Sequence, residues 1–248
     1  MRALLPQRGT EAMAPPTLPG FTRNRLLSAL SPEDQSYLRP HLMAVALDVR
    51  QVLEKPNEPI EHIYFPESGL GSIVAEDHRH RRIEVGIFGR EGMSGSTVVT
   101  GNHRSPHETF VQVAGFAQRV EADHLRKAMR RSAPLQGFLL RYVTAFMVQT
   151  AHTALSNGSS KIDERLARWL LMSGDRLDTA DIPLTHEFLA VMLGVQRPGV
   201  TLALRNLERR GVIKATRSKI TVTDREGLLG LTNGSYGIPE SEMKRLVG

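Results

Sequence analysis

Residues 184–225 read LTHEFLAVMLGVQRPGVTLALRNLERRGVIKATRSKITVTDR, and their periodicity decides the fold of the C-terminal half. Thr185 is placed to cap a helix, since its hydroxyl can take an orphan backbone N–H. Glu187 puts an acid in the first turn, where the helix dipole favours it. Phe188, Leu189, Met192 and Leu193 form an apolar stripe, and Gly194 suits the left-handed residue that ends such a helix. A second helix is predicted from Gln196 to Arg209. Val200, Ala203, Leu204 and Leu207 recur at i, i+3, i+4, i+7 and face inward. Arg197, Thr201 and Arg205 share the opposite face. A helix with that back and that front can enter a major groove and meet phosphates and base edges.

After Gly211, residues 212–213 and 220–222 read as two short strands. The tip between them, residues 214–219, forms a wing of the kind that rests on a DNA backbone. From Arg197 to Lys219 there are seven basic residues and one acid, a net +6 that equals the formal charge of the whole chain. Elsewhere the charges cancel. A positive field confined to one motif is the footprint of a nucleic-acid site. The predicted DNA-binding set is Thr185 and His186 at the start of the first helix, with His186 placed to touch a phosphate. It continues with Gln196, Arg197, Pro198, Gly199, Thr201 and Arg205 on the second helix, and Lys214, Arg217 and Lys219 on the wing.

With 248 residues the chain can bury a sizeable core and is long enough for two domains. It has no cysteine, which excludes disulfides, cysteine-ligated iron–sulfur clusters, zinc ribbons and thiol switching. No apolar run reaches the ~20 residues of a membrane span. Residues 1–20 lack the apolar core of a signal peptide and read as a flexible tail, so the cytoplasm is the expected location.

Residues 26–38 read as a short helix pair broken at Ser31-Pro32. From 42 to 120 the pattern switches to period two, as in Val45/Leu47/Val49, Ile63/Phe65, Ile83/Val85/Ile87 and Val111/Val113. Turn signals separate these runs, which implies an antiparallel sandwich or rolled barrel. Residues 135–156 are the longest helical stretch. One stripe carries Leu135, Leu139, Tyr142 and Phe146; another carries Leu140, Val143, Met147 and Ala154. A helix apolar on two sides must bury both. One side can lie on the roll and the other on a second subunit, with Leu139, Tyr142, Val143, Phe146 and Met147 as the expected dimer interface. A core helix within a monomer is the alternative. Asn157-Gly158-Ser159-Ser160 reads as a hinge, and residues 162–177 as an amphipathic helix that buttresses the motif. The expected organisation is α+β. A tail (1–20) precedes a jelly-roll-like antiparallel β-roll (21–133), a dimerisation helix (134–157), a winged helix-turn-helix (158–232) and a C-terminal tail (233–248).

In this order the chain resembles the Crp–Fnr family of bacterial transcription regulators. The resemblance rests on Leu184-Thr185-His186-Glu187, Leu193-Gly194-Val195, Arg197, and the stretch Leu207-Glu208-Arg209-Arg210-Gly211-Val212-Ile213 that leads into the wing. Gly69, Gly86, Gly92 and Gly95 support it more weakly. It implies a homodimer on a two-fold DNA site, transcription control with RNA polymerase as a further partner, and in many members a small effector in the roll. In nucleotide-binding members, a Gly-Glu pair and a later Arg-Ser or Arg-Thr hold the ribose and cyclic phosphate. Here Ser96 stands at the place of the glutamate and Glu108-Thr109 at that of Arg-Thr, while Arg104-Ser105 is out of register. An effector pocket would involve Gly95, Ser96, Thr97, Arg104, Ser105, Thr109 and Thr150. Cyclic nucleotide is disfavoured as its occupant, and no other effector can be named.

His78, His80, His103 and His107 have no carboxylate or cysteine at ligand spacing, so neither metal nor haem nor another cofactor is expected. No catalytic motif occurs. The leading expectation is therefore a non-enzymatic regulator of double-stranded DNA. The alternative is a regulatory roll whose basic helical domain binds a protein partner.

Overall fold

The computed structural model describes residues 22–216 and 218–248. Helices α1 (Arg25–Ser28) and α2 (Pro32–Leu38) open it, the second capped by Ser31 with Pro32 at its start. Strands β1 (Met43–Leu47), β2 (Val52–Glu54), β3 (His62–Pro66), β4 (Leu70–Glu76) and β5 (Arg82–Phe88) follow. After a one-turn helix α3 (Ser96–Val99) come β6 (Glu108–Val113) and β7 (Gly115–Glu121). The roll closes from two antiparallel sheets, ordered β1-β7-β3 and β2-β6-β4-β5. Gly71 and Gly86 let aromatic rings approach the sheet, because an added Cβ would lie 2.2 Å from the Phe88 ring and 2.5 Å from the Phe146 ring.

Helix α4 (Ala122–Arg131) leads into α5 (Ala133–Ser159). Leu135, Leu139, Tyr142 and Phe146 are buried against their own roll, and Val143 is buried with them. Gln149 clamps α5 to β5, its side chain accepting from the Ile87 N–H at 2.8 Å and donating to the Ile87 carbonyl at 3.1 Å. Four of the five residues expected at a dimer seam are thus core residues of one subunit. Of that set only Met147 is exposed, at 65%. Leu139, Tyr142 and Phe146 belong to the stripe that the roll itself covers, and Val143, from the other stripe, is buried beside them.

The expected hinge is also displaced. The chain stays helical through Asn157, Gly158 and Ser159 and breaks only at Ser160–Lys161. Small polar residues cost a helix little compared with twenty-seven residues of continuous hydrogen bonding. Then come α6 (Ile162–Leu177), the two-residue strand β8 (Asp181–Ile182), α7 (His186–Leu193), α8 (Arg197–Arg209), β9 (Ile213–Ala215), β10 (Ile220–Val222) and α9 (Arg225–Leu231). The wing is a three-stranded sheet, β8-β10-β9, rather than a hairpin.

The expected C-terminal tail is instead largely a helix, α10 (Ile238–Val247). Gly237 and Pro239 are not breakers here. Gly237, at φ +112°, sits at the N-cap, and Pro239 lies in the first turn, where its missing N–H costs nothing. The Glu240 carboxylate accepts the Gly237 N–H at 3.0 Å. Met243 and Val247 pack on the roll's lower core, and the Arg141 guanidinium donates to the Leu246 carbonyl at 3.1 Å.

One apolar cluster runs through both halves. It joins Leu70, Val74, Ile87 and Phe110 of the roll to Trp169, Leu170, Leu189 and Leu193. The Trp169 indole N–H donates to Glu84 at 2.7 Å across this junction. Among the described residues, no helix is long and apolar enough to cross a membrane.

Candidate nucleic-acid interface

The helix-turn-helix is built from local rules. The Thr185 hydroxyl accepts the Phe188 N–H at 3.4 Å and starts α7. Gly194 ends it at φ +58°. A Cβ there would also lie 2.9 Å from the Ile83 side chain, so the glycine serves the turn and the docking on β5 together. Gln196 is the N-cap of α8, and Pro198 falls in its first turn. Val200, Ala203, Leu204 and Leu207 are buried beneath it.

The outer face of α8 exposes Arg197, Pro198, Leu202 and Arg205. Thr201 is half-buried and its hydroxyl bonds back to the Arg197 carbonyl at 3.1 Å. Gly199 lies at the base of the helix, its N–H on the Gln196 carbonyl. Arg197 lies 3.4 Å from the Glu187 carboxylate, which also sits 3.5 Å from Arg50 of the roll. The Glu208 carboxylate accepts the Ala215 N–H at 2.7 Å and fixes the wing to the helix end. On the wing, Lys214 is exposed. Lys219 is paired with Asp181 at 2.9 Å, and the Thr221 hydroxyl and then this lysine hold the Asp181 carboxyl below its usual range. Arg217 and the side chain of His186 lie outside the described residues. Arg205 and Lys214 have no ion-pair partner among the described residues, so they can meet phosphates without first giving one up.

The predicted effector residues are spread over α3, the loop before β6, β6 and α5. Gly95, at φ +69°, opens α3 with Ser96 and Thr97 behind it. Its N–H donates to the buried Glu54 carboxylate at 2.6 Å, and Thr109 stands opposite Glu54 in the β2–β6 ladder. Burial pushes the Glu54 carboxyl up, against the pull of the Gly95 N–H. The sequence reading passed over Glu54. The available signal was an acid directly after two apolar strand residues, Val52 and Leu53. Arg104 is exposed on a bridge to Pro59, while Ser105 is buried and its hydroxyl accepts the His107 N–H at 3.1 Å. The Thr150 hydroxyl donates to the Phe146 carbonyl within α5 at 3.2 Å. Glu108 is paired with Arg82.

Residues 164–231 match the Crp-like helix-turn-helix domain. The global nitrogen regulator of Synechocystis sp. is 22% identical over 216 residues, covering 82% of this chain and 93% of that protein. Its counterpart in Nostoc sp. is 23% identical over 180 residues, 67% of this chain and 79% of that protein. Among solved structures, a crp/fnr-family protein of Eubacterium rectale superposes with a TM-score of 0.66 at 18% identity, over 84% of this chain and 98% of that one. The c-di-GMP-responsive global regulator CLP of Xanthomonas campestris gives 0.61 at 16% identity, over 77% and 99%. Residues 164–231 are thus a Crp-like helix-turn-helix domain, and the chain shares the fold of the crp/fnr-family structure it superposes on.

Proposed function

We propose that the chain acts as a homodimer that reads a two-fold operator through α8 and the wing, without cyclic nucleotide. The observation that carries the reading is the outer face of α8. Arg197 and Arg205 stand exposed on it above a fully apolar back, beside the exposed Lys214. Dimerisation is supported by the far side of α5. Leu140, Thr144, Met147, Ala151 and Ala154 are exposed there at the alternating three- and four-residue spacing of a helix–helix seam, and Leu155 beside Ala154 is exposed too. Independence from cyclic nucleotide is supported by Glu54. A phosphate entering beside α3 would face a buried carboxyl that already holds the Gly95 N–H.

Footprinting on selected DNA, combined with sedimentation, tests the reading. The expected result is a dimer protecting two inverted half-sites centred about one helical turn, ~10 base pairs, apart. Affinity should fall steeply with salt as phosphate contacts release counterions. A monomer on a single half-site would refute the dimer. Salt-independent, sequence-indifferent binding would favour a protein as the target of the basic domain.

A further inference from the structure

A cavity of about 530 Å³ lies outside the roll, between α1, the turn at 89–92, α6 and α10. Its apolar wall includes Leu26, Met243 and Val247. Three of the four acids lining it are already neutralised within the chain, and the fourth, Glu240, accepts the Gly237 N–H without an ion pair among the described residues. Glu91 meets Arg176 at 2.8 Å, Asp175 meets Arg225 at 2.8 Å, and Asp178 is paired with Arg90. Two lining cations are not. Arg25 and Lys244 are exposed and have no ion-pair partner among the described residues. We propose that this cavity binds an amphipathic organic anion, its carboxylate-like head against Arg25 and Lys244 and its alkyl body on Leu26, Met243 and Val247.

Three observations converge on that chemistry. The volume falls within the roughly 300–1,000 Å³ of small-molecule sites. The apolar wall offers burial to a hydrocarbon body, which supplies affinity in proportion to the methylenes covered. The unpaired lining charges favour an anion, since Arg25 and Lys244 outnumber the one unpaired acidic side chain, Glu240. The Arg90 guanidinium beside the cavity is pushed below its usual range by burial and then by the charges of Arg23 and Arg25. A ligand carboxylate would relieve that crowding through charge-assisted hydrogen bonds. The walls come from the roll, from α6 and from α10, so an occupant bridges segments distant in sequence.

The test is calorimetric titration of the full chain with decanoate, decanol and decylamine, each below its micelle-forming concentration. Decanoate should bind saturably, once per chain. Decanol, with the same body and no charge, should bind at least tenfold more weakly, and decylamine should not bind. Octanoate, two methylenes shorter, should bind roughly ten- to fifteenfold more weakly than decanoate. The double variant Arg25→Ala/Lys244→Ala should lose the preference for decanoate while keeping the affinity for decanol. Met243→Glu should abolish both, with an unchanged melting transition reporting that the fold is intact. Absence of saturable decanoate binding, or equal affinity for decanoate and decanol, would overturn the proposal. Decanoate binding indifferent to both sets of substitutions would place the ligand elsewhere and overturn it too.

Discussion

At the head of α8, Arg197 is drawn towards the same carboxylate as Arg50, that of Glu187. All three side chains are more than half exposed, so water and salt screen the contacts and each is a weak tether. DNA can therefore displace Glu187 cheaply. The planar guanidinium fork fits the O6 and N7 acceptors of guanine in the major groove. Arg197→Ala should weaken operator binding by ~1–3 kcal/mol while leaving random DNA nearly unaffected. Competitive gel-shift titrations measure both, and an equal loss on the two DNAs would make Arg197 a phosphate contact. Glu54 argues at the same scale for the roll. A cyclic phosphate needs aligned N–H donors and a cation, whereas the Gly95 N–H is engaged by Glu54 at 2.6 Å and Glu108 is paired with Arg82. Operator affinity should consequently change by less than about threefold with saturating cyclic AMP, where a coupling of ~1.4 kcal/mol would change it tenfold.

The long helix α5 shows at the level of an element what a sequence can and cannot assign. Periodicity shows two apolar sides but carries no mark of which side meets the chain's own roll. Phe146, 8% exposed, packs on Gly86, and Met147, one residue on, is 65% exposed. A charge at 146 would break the core, so the informative substitution is at 147. Met147→Glu should leave the melting transition near that of the parent chain and give monomers in sedimentation, because each subunit would present a carboxylate to its symmetry mate. A dimer that survives the change would move the seam off this stripe. The helix-turn-helix was legible because its signals are local: Thr185 as cap, Gly194 at a left-handed turn, four apolar residues on one face. Helix α10 was not. The glycine before it and the proline in its first turn have the same letters as a breaker, and only the Glu240 carboxylate reaching back to the Gly237 N–H makes them a helix start. The two-residue strand β8 exists only because Ile182 pairs with Ile220, a contact between distant parts of the chain. Glu54 was missed for the same reason, since its partner Gly95 lies forty-one residues away.

The roll and the DNA-binding half are coupled at molecular scale by more than the apolar cluster they share. Glu84 on β5 is buried at their junction. It accepts the Trp169 indole N–H at 2.7 Å and the Ser72 hydroxyl at 2.6 Å. Burial pushes its carboxyl up to about 8, although the two hydrogen bonds and the Arg176 and Arg168 charges pull the other way. The sign of the pH dependence follows. Below the unfolded value of 4.5, folded and unfolded chains both carry the proton, and Glu84 costs nothing. Between 4.5 and about 8 the unfolded chain releases a proton that the folded chain keeps. Stability therefore declines as pH rises through that window, by up to ~1.4 kcal/mol per pH unit from this group, and levels off above it. Glu84→Gln isolates the effect. The glutamine carbonyl can still accept from Trp169 and its amide can donate to the Ser72 oxygen, so the junction keeps its packing without a titrating proton. Urea denaturation of both chains should give similar stabilities near pH 5 and a variant more stable than the parent near pH 8. The difference between the chains is the quantity to read, because every other titrating group is common to them. A difference that does not move with pH would mean that Glu84 ionises at the ordinary carboxylate value inside the fold, as it could only if the Arg168 and Arg176 charges outweighed its burial.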